Sequence, residues 1–397
     1  MKQAVKKGAT IKKRSVSDIK SSLGLGGKKA SNVVSNADKP MDWIIMPKAF
    51  QEVTKLPGIP QGYITACMGH SNVGKSTLIN HALAAAQRQG LLPVMFDTEN
   101  AFSFEYAKAM GFKAEPQYDD VEVEVVDEET GEVTIEKQKQ IVNWEGDFIY
   151  FNNQALLQFC GTMDYKSGKE GTKRRGTAVI EDIAYTMNKL LKMQEEGEIE
   201  QGMLFVWDSV GSISSYKSYD SSVNNNMWDA GAISVAFNSI VNDKIPSSRK
   251  VSSKYTNTFL YINKVWMDSM SNPMAQPTMK PKGGQSLYYG ARLEIVLGGL
   301  NGPGIKRLKA TSKGLNYSYG IETKIQVKKN HLNPPYNVTY EGKMIACDVG
   351  FISTNDLEDY KKKHISKILK ELNSQVTDGK YITESDVVFE ETEEEDS

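Results

Sequence analysis

Short, continuous apolar runs, each followed by polar residues, recur along the chain. Four of them occupy residues 63–68, 92–96, 203–207 and 258–262. Apolar runs of this length are typical of strands that are buried on both faces of a parallel sheet. A helix-compatible stretch up to residue 89 separates the first two runs, so their order is strand, loop, helix, strand. The pattern therefore predicts an α/β fold in which helices cover a mostly parallel, twisted sheet.

A second pattern interrupts this order between residues 114 and 178. Residues 121–126 and 132–136 alternate apolar and acidic side chains on either side of an Asp-Glu-Glu-Thr-Gly turn, which predicts a hairpin inserted into the core. Residues 161–177 are rich in glycine, lysine and arginine, and they are predicted to form a mobile basic loop. Both features are expected at the periphery of the core.

The composition of the chain changes near residue 40 and again after residue 380. Residues 1–40 are rich in lysine, serine and glycine and predict a flexible basic arm. The folded core is predicted to span residues 41–350, and a short helical segment is predicted at 351–380. Residues 381–397 contain no lysine or arginine and predict an acidic tail.

Bulk composition narrows the class of protein. The 397 residues carry 48 Lys and Arg against 49 Asp and Glu, so total charge alone indicates neither a polyanionic nor a membrane partner. Cys67, Cys160 and Cys347 lack the spacing of metal ligands, which favours reduced thiols. No stretch approaches the ~18 apolar residues of a membrane-spanning helix, and the basic N-terminus lacks the apolar segment of a signal peptide. We therefore expect a cytoplasmic protein with no membrane partner.

A glycine-rich loop follows the first apolar run and fits the pattern Gly-x4-Gly-Lys-Ser/Thr. The strand before it and the helix after it are the context in which such a loop binds the phosphates of a nucleotide. Lys75 is expected to reach the β and γ oxygens, Ser76 to ligate Mg²⁺, and Thr77 to support the nucleotide from the side. The predicted nucleotide-binding residues of this loop are Gly69, His70, Ser71, Asn72, Val73, Gly74, Lys75, Ser76 and Thr77.

Two carboxylates follow apolar runs at positions suited to nucleotide hydrolysis. Asp208 ends the run at 203–207 and has the position of the residue that holds Mg²⁺ in P-loop ATPases. Glu99 follows the run at 92–96, where it could orient or deprotonate the attacking water. The alternative is that Glu99 is an acidic residue at a helix start, on a solvated turn.

Several segments together resemble the RecA family of bacterial DNA recombinases in order and spacing. The resemblance is densest over 57–112 and extends, with interruptions, to about residue 350. Besides the phosphate loop, the segments that carry it are 57–62 (Pro-Gly-Ile-Pro-Gln-Gly), 84–88 (Ala-Ala-Ala-Gln-Arg), 97–99 (Asp-Thr-Glu), 106–108 (Tyr-Ala-Lys), 206–209 (Val-Trp-Asp-Ser), 257–264 (Asn-Thr-Phe-Leu-Tyr-Ile-Asn-Lys), 283–284 (Gly-Gly) and 328–330 (Lys-Lys-Asn). It implies a RecA-type P-loop ATPase core.

The resemblance also implies roles for individual residues. Glu99 would be the catalytic base, assisted by Lys75, and Tyr106 would stack on the adenine of ATP. Lys329 and His331 would reach the ATP of a neighbouring protomer across a filament interface. The chain departs from the family at two nucleotide-site positions: Lys264 aligns with a glutamine that senses the γ-phosphate, and His331 replaces a lysine.

Two DNA-facing loops of the family correspond to about 212–231 and 265–282 in this chain. The first is rich in serine and asparagine, and the second holds a tryptophan and several methionines. Methionine and aromatic side chains can insert between bases while lysines hold phosphates, which suits sequence-tolerant binding of single strands. The predicted DNA-binding residues are Lys217, Trp266, Met267, Lys280, Lys282, Gly283 and Gly284.

By this resemblance the chain would be a DNA-dependent ATPase that uses ATP and Mg²⁺, assembles into helical filaments on single-stranded DNA and pairs it with double-stranded DNA. Single-strand-binding or loader proteins are candidate partners. The insertion and a short C-terminal region look like those of a phage-borne recombinase, which would act in the host cytoplasm. The alternatives are a hexameric helicase or branch-migration motor on the same core, and a regulatory or packaging-associated ATPase that binds no DNA.

The two charged ends have two interpretations. Both could be solvated tails without a function. The basic arm could instead contact phosphates, while the acidic tail competes with DNA.

Overall fold

The computed structural model describes residues 15, 21, 40–126, 133–221, 226–249, 253–268, 278–281, 285–299, 304–377 and 381–393. The predicted basic arm therefore lies almost entirely outside the described residues. In chain order the strands are β1 (Trp43–Ile45), β2 (Gly58–Pro60), β3 (Ile64–Gly69), β4 (Leu92–Asp97), β5 (Glu115–Val126), β6 (Val133–Glu145), β7 (Ile149–Asn152), β8 (Met163–Asp164), β9 (Lys169–Glu170), β10 (Met203–Val210), β11 (Thr258–Asp268), β12 (Thr278–Pro281), β13 (Leu293–Leu297), β14 (Ile305–Ser312), β15 (Leu315–Asn330), β16 (Glu341–Cys347), β17 (Gly350–Ile352) and β18 (Val388–Glu393).

Helices connect these strands and cover the sheet. The α-helices are α1 (Lys48–Thr54), α2 (Lys75–Arg88), α3 (Phe104–Ala109), α4 (Asn153–Cys160), α5 (Ile180–Glu195), α6 (Tyr216–Ser221), α7 (Asn226–Ala236), α8 (Ile245–Ser247), α9 (Gln285–Gly290) and α10 (Leu357–Asn373). A π-helical turn at Ile240–Lys244 precedes α8, and 3₁₀ turns lie at Thr354–Asp356 and Glu384–Asp386.

A large central sheet organises the chain in the order β17-β16-β15-β13-β3-β11-β10-β4-β7. Its strands from β13 to β7 are parallel to their neighbours. On the other flank, β15, β16 and β17 continue the sheet with antiparallel pairing. The four apolar runs of the sequence form β3, β4, β10 and β11, which are neighbours at the centre. The predicted α/β fold with a mostly parallel core is confirmed.

Both faces of the central strands are buried, which explains why their sequences are continuously apolar. In β10, Leu204 and Val206 pack into one core together with residues of α2. Phe205 and Trp207 point to the opposite face and pack into a second core with residues of α5 and α7. A strand with two buried faces has no polar side to show an alternating pattern.

The hairpin predicted within the insertion is longer than its sequence pattern suggested. β5 and β6 pair in an antiparallel manner from Glu115 opposite Glu145 to Val126 opposite Val133. Only the part near the turn alternates apolar and acidic residues. The part farther from the turn exposes side chains such as Tyr118 and Val142. The alternating sequence pattern therefore marks only the end of the hairpin next to the turn.

Residues 161–177, predicted as a mobile basic loop, consist mostly of turns and irregular backbone. This segment, which we name the basic insert, contains the short β8–β9 hairpin. Arg175 is buried and donates to both carboxylate oxygens of Asp182, at 3.0 and 2.6 Å, and to the carbonyl of Cys160 at 2.7 Å. A bidentate, buried Arg–Asp pair fixes the end of the insert to α5, because separating the two charges would leave one buried and unpaired.

The acidic tail also differs from its prediction. Val388–Glu393 forms β18, which pairs antiparallel with β14, and Ile382 is buried in a third core between the sheet and α10. Phe389 contacts the edge of the Tyr319 ring, with 5.7 Å between the centroids. As far as residue 393, the segment is therefore part of the sheet, and the acid-rich composition concealed the apolar side chains that anchor it.

Deletion of residues 381–397 is accordingly expected to lower stability. The truncation removes a strand and the buried Ile382, and burying one such side chain contributes about 1.5–3 kcal/mol to the free energy of unfolding. Thermal melting should show a clear decrease for this variant. Deletion of 394–397 alone is the control and should leave the melting temperature unchanged. Equal melting temperatures for both truncations would contradict the docking of β18.

Candidate active site

The glycine-rich loop connects β3, which is buried along its whole length, to the first turn of α2. Two glycines are required by this geometry. A Cβ at Gly69 would lie 2.4 Å from the carbonyl oxygen of Leu297, and Gly74 has φ 95°, which favours glycine. Gly74 caps α2 and contributes no side-chain hydrogen bond to the backbone N–H groups of the first turn. These N–H groups form a site suited to an anion.

A cavity of about 560 Å³ opens beside this loop. Of the residues predicted to bind the nucleotide, hydrolyse it or hold its metal, those lining the cavity are Ser71, Asn72, Gly74, Lys75, Ser76, Thr77, Glu99, Tyr106 and Asp208. Gly69, His70 and Val73 are not part of the lining, and the Val73 side chain is completely buried in the core. The structure therefore brings most of the predicted site together.

Lys75 lies within the loop, where its Nζ donates to the carbonyl of His70. Below the loop, burial raises the pKa of the Cys67 thiol to about 12, an effect that the nearby positive charge of Lys75 opposes. Cys67 is therefore neutral near pH 7 and is unsuited to be a nucleophile or a metal ligand. The lysine is the cationic group of the loop.

The carboxyl ends of four parallel strands meet at the cavity. The register places Asp208 of β10 opposite Asp97 of β4, and Lys264 of β11 opposite Gly69 of β3. The backbone of Lys264 thus lies at the start of the phosphate loop, while its side chain is outside the described part of the structure. Ligand sites of open α/β sheets lie at this edge.

Asp97 was not singled out from the sequence, but it holds the turn that presents Glu99. Its carboxylate is buried and accepts hydrogen bonds from the backbone N–H of Ala101 at 3.2 Å and of Phe102 at 2.9 Å. The hydroxyl of Tyr150 donates to it at 2.8 Å. Its position directly after an apolar strand is the signal that could have identified it.

Glu99 is tied to β10 and to the segment that follows it. The hydroxyl of Ser209 donates to the Glu99 carboxylate. The adjacent Thr98 hydroxyl accepts from the Trp207 indole N–H at 3.1 Å and shares a hydrogen bond with the hydroxyl of Ser212. The turn that carries Glu99 is therefore connected directly to the start of the 212–231 segment.

Tyr106 lies on α3, whose first turn is capped by the Ser103 hydroxyl. Its own hydroxyl is 2.9 Å from the Thr77 hydroxyl and donates to the carbonyl of Cys347 at 2.8 Å. Burial raises the pKa of Tyr106 to about 12, so the phenol is neutral near pH 7. The aromatic ring joins the phosphate loop to the opposite wall of the cavity.

That opposite wall was missed by sequence reasoning. It is formed by β14, β15, β16 and the turn after β16, which contribute Arg307, Tyr317 and Asp348 to the lining. Burial acts to raise the pKa of Asp348, but hydrogen bonds from Lys367 and Tyr360 of α10 hold it below its ordinary value. The wall therefore presents an arginine and an ionised carboxylate to the cavity.

Lys329 and His331 do not approach the phosphate loop of their own chain. Lys329 of β15 pairs with Glu294 of β13, near the amino ends of the parallel strands. There its Nζ donates to the carbonyl of Tyr288 at 2.6 Å. His331 lines a second cavity of about 540 Å³, together with Arg249 and Arg292. The two predicted residues thus occupy a cationic surface that is remote from the first cavity.

The predicted DNA-binding segments contain more regular structure than loops. Residues 212–231 include α6 and the start of α7, and the exposed Lys217 of α6 lies 4.5 Å from the ring centroid of Trp228. In the second segment, β11 pairs with β12, and Trp266 lies opposite Lys280. The side chains of Trp266, Met267 and Lys280, and all of Lys282, Gly283 and Gly284, lie outside the described residues.

Fold and site together define a P-loop nucleotide-binding core of the RecA type. A family profile described as RecA N-terminal domain matches residues 24–157. The match lies in the N-terminal part of the chain, which is therefore similar to RecA over that range. Within the described residues, none of the helices is long and apolar enough to cross a membrane.

Three curated relatives illustrate the similarity. The RecA protein of Aquifex aeolicus is 34% identical over 95 residues, which are 24% of this chain and 26% of the relative. That of Treponema denticola is 34% identical over 107 residues, covering 27% and 24% of the two chains. The RecA protein of Lactococcus lactis subsp. cremoris is 44% identical over 54 residues, 14% of each chain. The chain thus spans about a quarter or less of the length of these relatives.

Proposed function

We propose that the protein is an ATP-dependent DNA recombinase that forms filaments on single-stranded DNA and promotes homologous pairing and strand exchange. One observation carries this proposal. Lys75, Glu99 and Asp208 line one cavity, and the turn bearing Glu99 is hydrogen-bonded to the start of the 212–231 segment. A nucleotide site and a segment that corresponds to a DNA-facing loop are therefore parts of one connected structure.

The residues of the cavity fit ATP and Mg²⁺. The uncapped first turn of α2 and the Lys75 ammonium suit the phosphates, while Tyr106 and the β14–β16 wall are placed to contact the nucleoside. The described residues contain no cluster of three or more His, Cys, Asp or Glu side chains that could hold a metal ion. Mg²⁺ is usually held by one or two protein oxygens plus phosphates, and here the Ser76 hydroxyl and the Asp208 carboxylate would hold it.

Within the proposed reaction, Glu99 accepts a proton from the attacking water and Lys75 stabilises charge on the transferred phosphoryl group. Bound Mg²⁺ would neutralise further negative charge on the phosphate oxygens. Ser209 orients the Glu99 carboxylate through its hydrogen bond. The Ser212 hydroxyl is hydrogen-bonded to Thr98. A displacement of the 212–231 segment by DNA would therefore shift the turn that carries Glu99.

The cationic surface around Lys329, His331 and Arg292 supports assembly into filaments. It lies at the amino ends of the parallel strands, whereas the phosphate loop lies at their carboxyl ends. The two surfaces of one chain therefore cannot contact the same nucleotide. A head-to-tail contact between protomers would place this surface against a neighbour's ATP, and a contact that does not close into a ring generates a helix. We therefore propose that Lys329 and His331 act on the neighbouring nucleotide.

The decisive experiment measures ATP hydrolysis with and without single-stranded DNA and images the same samples by negative-stain electron microscopy. Hydrolysis stimulated by DNA, together with helical filaments, is the expected result. Closed rings would instead indicate a hexameric helicase or branch-migration motor. Hydrolysis that ignores DNA would leave a regulatory or packaging-associated ATPase, and the recombinase proposal would be abandoned.

A further inference from the structure

The basic insert is packed onto α6, which lies within the first proposed DNA-facing segment. The rings of Tyr165 and Tyr216 meet edge to face, with 5.6 Å between the centroids. The Tyr216 hydroxyl donates to Asp164 at 3.1 Å, and Lys166 forms an ion pair with Asp220. Since Arg175 fixes the other end of the insert to α5, the insert and α6 form one firmly connected surface.

This surface carries an excess of positive charge. The basic insert contains five cationic side chains, Lys166, Lys169, Lys173, Arg174 and Arg175, against two carboxylates, Asp164 and Glu170. The chain as a whole has a formal net charge of -1, so the excess is local. Local charge of one sign attracts a partner of the opposite sign irrespective of the total.

The side chains of this cluster divide into two groups. Arg175 is buried in its pair with Asp182, and Lys166 is paired with Asp220, so both serve the docking of the insert. Lys169, Lys173 and Arg174 are exposed, with Glu170 as the exposed carboxylate between them. Three cations therefore lie on the exposed side of the basic insert, and Arg174 also donates to the carbonyl of Leu157 in α4 at 3.4 Å.

The exposed side chains of α6 point to the chemistry of the partner. Lys217 is exposed, and Tyr219 exposes 40% of its surface. Basic side chains interleaved with accessible aromatic rings are the combination that binds single-stranded nucleic acid, because cations hold the phosphates while rings stack on bases. Binding of an acidic peptide would use only the positive charges of this surface, and the exposed Tyr219 ring would have no role in it.

We propose that the basic insert extends the single-stranded DNA-binding surface beyond the 212–231 segment, with Lys169, Lys173 and Arg174 contacting the phosphate backbone. This inference rests on the proposed function, since it assumes that α6 faces the DNA. The contact is independent of base sequence and is therefore sensitive to salt.

Neutralisation of the three cations tests the proposal. The variant Lys169→Gln/Lys173→Gln/Arg174→Gln should bind a fluorescein-labelled oligothymidylate about tenfold more weakly at low salt in the presence of a slowly hydrolysed ATP analogue. Each lost phosphate contact lowers the slope of log affinity against log salt by about 0.7 for single strands, so three contacts lower it by about 2. Lys362→Gln/Lys363→Gln/Lys370→Gln removes three exposed charges from α10, on the other flank of the sheet, and is the control.

A crosslinking experiment locates the contact directly. The three natural cysteines are buried, so a cysteine introduced by Lys173→Cys is the reactive thiol to which a photoactivatable aryl azide can be attached. This variant should crosslink to the oligothymidylate, whereas Lys362→Cys should not. An equal salt slope for wild type and the triple variant, or full DNA binding without crosslinking at 173, would overturn the inference. Crosslinking to duplex but not to single-stranded DNA would also overturn it.

The outcomes separate the inference from the function on which it rests. If the unmodified protein binds single-stranded DNA and its ATP hydrolysis responds, the proposed function stands whatever the variants do. If the unmodified protein ignores DNA, the proposed function itself fails. Since the three side chains are exposed and Arg175 is retained, equal melting temperatures of all variants verify that the insert remains folded.

Discussion

Lys75→Ala should abolish measurable ATP hydrolysis. The ammonium is the cationic group of the phosphate loop, and it is fixed over the loop by its bond to the His70 carbonyl. Removal of a preorganised group that stabilises transition-state charge typically lowers the rate by about 100- to 1,000-fold. The turnover number, measured by phosphate release at saturating ATP, should therefore fall at least ~100-fold.

The control for this variant is Lys48→Ala. Lys48 is an exposed lysine of α1 that forms an i,i+4 pair with Glu52, so its loss should leave turnover unchanged. Thermal melting of both variants separates loss of function from loss of fold. If the turnover number of Lys75→Ala stays close to that of the unmodified protein, neither this lysine nor the phosphate loop takes part in the proposed reaction.

Glu99→Gln should retain ATP binding but lose turnover. The amide has nearly the same size, and its oxygen can still accept the hydrogen bond from Ser209, so the turn should keep its conformation. What is lost is the capacity to take a proton, and general base catalysis typically contributes about 10²- to 10⁴-fold. Affinity for a fluorescent ATP analogue should remain within about threefold, while phosphate release falls by at least ~100-fold.

We also propose that hydrolysis releases the filament from DNA, so the Glu99→Gln protein should remain longer on single-stranded DNA after excess competitor is added. Glu105→Gln provides a matched change of acid to amide on the exposed side of α3 and should behave like the unmodified protein. Normal turnover of Glu99→Gln would show that another group activates the water.

Local sequence patterns identified the centre of the fold and one side of the site. The strands β3, β4, β10 and β11 were visible because both of their faces are buried, and the phosphate loop was visible because its glycines are required by its conformation. These are local requirements that each segment satisfies by itself. Both could therefore be derived without knowledge of the tertiary structure.

The other wall of the cavity depends on pairing between distant strands. Residues Lys313 and Gly314 have φ 52° and 83°, as expected for the tight turn between β14 and β15, so a hairpin could have been predicted there. Its position opposite the phosphate loop follows from the pairing of β15 with β13, which no local pattern contains. Arg307 and Asp348 consequently escaped prediction.

Helical structure in the 212–231 segment was missed for a different reason. Serine and asparagine have low helix propensity, so composition indicated a loop. In the structure α7 is held by burial of Ile233, and the adjacent Phe237 stacks on Trp207 with 5.4 Å between centroids. Tertiary packing overrides propensity at this position.

The cavity is built from parts of the chain that are synthesised far apart in time. Thr77 of the phosphate loop and Arg307 of the opposite wall are separated by 230 residues of sequence. At about 5–20 residues per second, the ribosome needs roughly 10 to 50 s to make that stretch. The wall is in turn anchored by Lys367 and Tyr360 of α10, which emerge later still. A nascent chain thus exposes its phosphate loop long before the opposite wall can complete the cavity beside it.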